Sequence, residues 1–122
     1  MAKRRILIAD DEEDFLKAIT IRLKSAGYET AVARNGLEVQ KECEKEKPDL
    51  IVLDIMMPKM DGFEVLRKLK ENESLKDIPV IYLTAGEFDI SKELDILSMA
   101  QDFMLKTVDS DKIVERINRI LS

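Results

Sequence analysis

Leu50-Ile51-Val52-Leu53-Asp54, continuing as Ile55-Met56-Met57-Pro58, is the stretch on which the fold turns. Four branched apolar residues in a row are too few for a helix and too uniformly apolar for a strand with one wet face. They fit a strand buried on both sides, as in a parallel sheet sandwiched between helices. The run stops at a carboxylate, Asp54.

Working outward, the same unit recurs. Apolar, β-rich runs at Arg5 to Ala9, Glu29 to Ala33, Val80 to Thr84 and Phe103 to Lys106 alternate with longer stretches of helical period. Phe15, Ile19, Leu23 and Ala26 share one helical face before Gly27 stops it. Gly36 opens a second helix to about Lys45, and Asp61 can cap a third, with Phe63, Leu66 and Leu69 inward. Ile90 to Met99 makes a weakly patterned fourth. Ile113, Ile117, Ile120 and Leu121 form the stripe of a fifth, capped by Asp109 or Ser110. Five β-α units predict an α/β fold with a five-stranded parallel sheet and five helices in three layers, one domain over residues 1 to 122.

Composition narrows the function. Of 122 residues, 45% are hydrophobic and 37% charged, the balance of a compact chain with a solvated surface, and the net charge is -5. The basic residues are spread along the chain, so no direct nucleic-acid contact is expected. Neither a secretory signal nor a membrane span is visible, which points to a cytoplasmic protein. With no histidine and one cysteine, Cys43, the chain offers no Ser/His/Asp or Cys/His catalysis and no multi-cysteine metal site. Any metal must be held by oxygen. Nor can the chain carry a phosphohistidine, so in histidine-to-aspartate transfer it could only receive. Cys43 reads as a small buried hydrophobe, and Lys41 to Lys47 as a solvated helix face.

Ligands of such folds bind beyond the carboxyl ends of the strands. Those ends carry Asp10 and Asp11, Asp54, Thr84 and Lys106. Three carboxylates brought together repel one another unless a cation neutralises them, and hard oxygen donors suit Mg²⁺ or Mn²⁺. A hydroxyl and an ammonium beside them supply donors for anionic oxygens. A nucleophile, a cation and such donors are the parts needed for phosphoryl transfer. Asp54, on the most apolar strand, is the central nucleophile.

Asp10-Asp11, Leu53-Asp54-Ile55-Met56-Met57-Pro58, Asp61-Gly62, Leu83-Thr84-Ala85 and Lys106 together resemble the response-regulator receiver family of two-component systems. The separations match as well, 30 positions from Asp54 to Thr84 and 22 from Thr84 to Lys106. The resemblance covers the whole chain and implies the flavodoxin-like strand order 2-1-3-4-5. It implies that Asp54 is the phosphoacceptor, fed by a sensor histidine kinase or a phosphotransfer protein. Asp11, Asp54 and the backbone carbonyl of Met56 would bind the metal, with Asp10 helping through water. Thr84 and Lys106 would hold the phosphoryl oxygens, and Phe103 would be the aromatic switch that turns from exposed to buried. Output would pass from the fourth helix, fifth strand and fifth helix to an effector protein or output domain, the chain being a monomer or a weak phosphorylation-dependent dimer. By the same resemblance it is no enzyme beyond its own phosphorylation and dephosphorylation.

Each feature also has a plainer reading. Asp10 and Asp11 would suit the start of a helix, Phe103 would suit a static core, and Met56, Met57 and Met60 would fill a loop. The chain departs from the family in having Thr107 where proline follows the lysine, and Gln40 on the inner face of the second helix. Thr107 supports a rival in which the domain docks partners without taking phosphate. A haloacid-dehalogenase-type hydrolase needs a second aspartate where Met56 stands. A flavodoxin-like cofactor site needs a phosphate loop where Asp10-Asp11-Glu12-Glu13-Asp14 would repel one. Met56 and Gly86 offer no side chain to orient an attacking water, so slow loss of an acyl phosphate is expected.

Overall fold

A computed structural model describes residues 3–55, 62–84, 98, 100–106 and 109–122. Five strands, β1 (Arg5–Ala9), β2 (Glu29–Ala33), β3 (Leu50–Asp54), β4 (Val80–Thr84) and β5 (Asp102–Leu105), form one parallel sheet in the order β2-β1-β3-β4-β5. The described helices are α1 (Glu13–Ser25), α2 (Gly36–Lys45), α3 (Gly62–Glu71) and α4 (Ser110–Leu121). The last is the fifth helix of the sequence reading. The expected fourth, Ile90 to Met99, lies outside the described residues apart from Ser98.

β3 is buried along its whole length. Its alternate side chains feed two separate cores. Ile51 and Leu53 join Leu7, Val80 and Tyr82 under α2 and α3, where Val39, Cys43, Val65, Leu66 and Leu69 close the layer. Leu50 and Val52 join Ile6, Ile8, Ile81 and Leu83 under α1 and α4, against Leu16, Ile19, Leu23, Ile113 and Ile117. Each large side chain so buried contributes roughly 1.5–3 kcal/mol. Burial also lifts the Cys43 thiol to about 11, so it packs as a neutral hydrophobe.

Several local expectations shift. On α1, Leu16 takes the core position and Phe15 is half-buried, while Ala26 is exposed. On α2 the inner residues are Val39 and Cys43; Gln40 is half-buried and Leu37 faces solvent. β5 begins one residue early, with Asp102 paired to Ile81, and ends at Leu105, so Lys106 stands one step beyond the strand rather than within it. Asp61, expected to cap α3, is outside the described residues. Asp109 caps α4 by accepting from Asp111 N–H at 3.0 Å. No described helix is long and apolar enough to cross a membrane.

Candidate metal centre

β1, β3 and β5 run parallel, so the residues that follow or close them gather at one edge of the sheet. Asp10 continues the ladder past β1 by donating its N–H to the Ala33 carbonyl at 3.0 Å. Its Oδ1 then accepts the Glu12 N–H at 2.9 Å, an Asx turn that leads the chain into α1. Asp10 is fully buried, Asp54 nearly so, and Asp11 is exposed. One carboxylate oxygen from each of the three lies within 4.8 Å of the others.

Lys106 enters this cluster from the end of β5. Its ammonium lies 2.9 Å from Asp10, 3.4 Å from Asp54 Oδ2 and in hydrogen-bond contact with Glu12, and it also sits 5.2 Å from the centroid of the Phe15 ring. Burial alone would lower the lysine's pKa. Hydrogen bonds to Glu12 and Asp10 and the charge of Asp54 outweigh it, so the group stays protonated well above its ordinary range. Burial raises the Asp10 pKa, against the opposing pull of the Glu12 N–H and Lys106.

Three carboxylates, Asp10, Glu12 and Asp54, therefore contact one ammonium and Asp11 adjoins two of them, an excess of negative charge suited to a divalent cation. The ammonium is equidistant from both Asp10 oxygens but aligned to hydrogen-bond only Oδ1. Among the described residues Oδ2, fully buried, accepts no hydrogen bond. Its close partner is the charge of the ammonium, and the three carboxylates together, with oxygens within 4.8 Å of one another, fit a hard metal ion. A separate groove of about 440 Å³ between α1 and the β2 edge, lined by Glu13, Lys17, Arg34 and Glu42 among others, includes none of these residues. An ion-binding strand edge needs no deep pocket.

The support under Asp54 is equally specific. Gly62 donates its N–H to the Ile55 carbonyl at 2.6 Å and accepts from the Tyr82 hydroxyl at 2.6 Å. A Cβ there would come within 2.5 Å of Ile55 Cα and 2.8 Å of the Asp54 carbonyl oxygen. The start of α3 is thereby pressed against the backbone that carries Asp54.

A family model described as the response regulator receiver domain matches residues 6–118. The chain belongs to that family. Among relatives of this receiver domain, the alkaline phosphatase synthesis transcriptional regulatory protein PhoP of Bacillus subtilis is 37% identical over 118 residues, covering 97% of the chain but 48% of that protein. Protein PilH of Pseudomonas aeruginosa is 32% identical over 118 residues and is covered over 98% of its length. The chain thus spans about half of the first curated relatives it matches and nearly all of PilH. Among solved structures, chemotaxis response regulator CheY4 of Vibrio cholerae superposes with a TM-score of 0.87 at 25% identity, over 98% of this chain and 99% of that one.

Of the residues named from sequence, Asp10, Asp11, Asp54 and Lys106 come together as expected. Thr84 closes β4 beside Leu105, but its side chain is outside what the structure describes. Met56 and its carbonyl, Gly86 and Thr107 lie outside the described residues. Phe103 is 49% exposed, which rules out the static-core reading and leaves it in the outward position. Sequence reasoning missed Glu12 and Phe15 as neighbours of Lys106. Glu12 was visible only as the next charge in an acidic run, and Phe15 only as a core position.

Proposed function

We propose that this receiver domain accepts a phosphoryl group on Asp54 in an Mg²⁺- or Mn²⁺-dependent reaction. The observation that carries the reading is the convergence of Asp10, Asp11 and Asp54 with the ammonium of Lys106 at one strand edge. Receiver domains of response regulators interact with histidine kinases and output domains. The donor here is thus a phosphohistidine of a sensor kinase or phosphotransfer protein.

An Asp54 carboxylate oxygen attacks the phosphorus. The new O–P bond forms as the P–N bond breaks, and the electron pair leaves with the imidazole of the donor. Lys106 and Thr84 donate hydrogen bonds to the phosphoryl oxygens. Asp10, Asp11, Asp54 and the Met56 carbonyl would hold the metal, which when bound supplies positive charge to the phosphoryl oxygens. New hydrogen bonds to a doubly charged group then bias the packing toward an arrangement with Phe103 turned inward, and the face of β5 and α4 reports it to an effector. Catalysis ends with the domain's own phosphorylation and dephosphorylation, in the cytoplasm.

A docking module that takes no phosphate would have no use for a fully buried Asp10 whose pKa its burial raises. Thermal unfolding with beryllofluoride, a phosphoryl mimic, separates the two. Mg²⁺ with beryllofluoride is expected to raise the midpoint beyond Mg²⁺ alone, and Asp54→Ala to abolish the increment. An equal increment in the variant would remove Asp54 from the site.

A further inference from the structure

The ammonium of Lys106 is fully engaged before any phosphoryl group arrives. It has three N–H donors, and it meets Asp10 Oδ1 at 2.9 Å, Asp54 Oδ2 at 3.4 Å and Glu12 Oε1. A phosphoryl group on Asp54 brings further anionic oxygens to an ammonium whose three donors are already taken, so one of its present contacts gives way. Their release costs differ. Asp10 is fully buried and both its oxygens lie 2.9 Å from the ammonium, so water cannot simply take the ammonium's place there. The Glu12 side chain is 65% exposed and exchanges the ammonium for water at little cost.

We infer that Glu12 is a latch on Lys106: its carboxylate holds the ammonium in the unphosphorylated domain and swings into solvent when a phosphoryl oxygen takes its place. The inference rests on the reading of Asp54 as phosphoacceptor. Glu12 is a positioning residue, since it acts through Lys106. The local structure suits a moving arm. Its backbone N–H is tied to Asp10 Oδ1 at 2.9 Å, so the side chain can leave while the backbone stays. Glu12 stands at the N-cap of α1 yet its side chain caps no helical N–H, so releasing or replacing that side chain takes no hydrogen bond from the helix. A latch of this kind slows phosphorylation, because Lys106 becomes available only after Glu12 departs.

The test is a double-mutant cycle on the full chain, reading the initial rate of phosphoryl gain from acetyl phosphate with Mg²⁺. With Lys106 present, Glu12→Gln is expected to accelerate the reaction, up to about five-fold for an exposed ion pair. In the Lys106→Ala background the same substitution is expected to change the rate by less than about two-fold. If that background labels too slowly to time, the ratio is taken from beryllofluoride affinity. Equal acceleration in both backgrounds would show Glu12 acting by its charge on the donor, and would overturn the latch. No change or a slower reaction with Lys106 present would overturn it too. A wild-type domain that gains no phosphoryl group would bring down the Asp54 reading and the latch with it.

Discussion

Gly62 and Gly27 show how differently a single residue can matter. At Gly27 the backbone φ is 96° and nothing lies within 4 Å of an added Cβ, so Gly27→Ala is expected to cost only the left-handed conformation, about 1–2 kcal/mol. At Gly62 the obstacles are backbone atoms of Asp54 and Ile55, which cannot step aside as a flexible side chain would. Gly62→Ala is expected to destabilise by about 1–3 kcal/mol and also to slow phosphorylation, because the acceptor's own backbone must shift. Urea unfolding beside a labelling rate checks both. A stability loss with an unchanged rate would show that Asp54 does not depend on this contact. At this scale the legible residues were those with chemistry at a strand end: Asp10, Asp11, Asp54 and Lys106. Glu12 was not legible as a partner, because nothing in a run of acids says which one turns toward a lysine 94 positions away.

Among the elements, strands were read more sharply than helix faces. Four of the five strands have the expected limits, most sharply β3, whose run is apolar on both faces and ends abruptly. The sequence pattern starts β5 one residue late because Asp102, which pairs with Ile81, looks like a loop residue. Helix faces were blurred by single-residue rotations: Leu16 and Phe15 are adjacent and both apolar, and only packing decides which goes in. The start of α2 is held by a reciprocal cap that the sequence reading credited to Gly36 alone. Asn35 Oδ1 accepts the Glu38 N–H at 3.0 Å, and Glu38 reaches back to Arg34 N–H and to the Asn35 amide, both at 3.1 Å. Asn35→Ala is expected to cost about 1 kcal/mol, read as a lower urea midpoint with an unchanged slope. No change in midpoint would mean that the cap contributes nothing to stability.

For the molecule as a whole, the acidic edge sets a cost that a cation relieves. The folded-state pKa of Asp10 is raised, so over the window from the ordinary carboxylate range up to that raised value the folded state binds more protons than the unfolded one. Stability from this group is full below the window and falls as pH rises through it. Glu13, held below its ordinary range by Arg34, works in the opposite direction, so Asp10→Asn is the proper comparison. In metal-free buffer the wild type is expected to lose more stability than this variant as pH rises from about 4 toward neutrality, a window set by the ordinary carboxyl value. At pH 7, Mg²⁺ at ten times its dissociation constant should restore about 1.4 kcal/mol to the wild type. Thermal melts in EDTA and in Mg²⁺ read both. An identical pH response in the two proteins would mean that Asp10 bears none of this cost.

Intact mass after incubation with acetyl phosphate, with Mg²⁺ or with EDTA, on wild type and Asp54→Asn, is the most direct test of the phosphoacceptor. The expected result is a gain of one phosphoryl group in the wild type that requires the metal and is absent from the variant. A gain of equal size in Asp54→Asn, or no gain in the wild type with metal present, would contradict the assignment of Asp54.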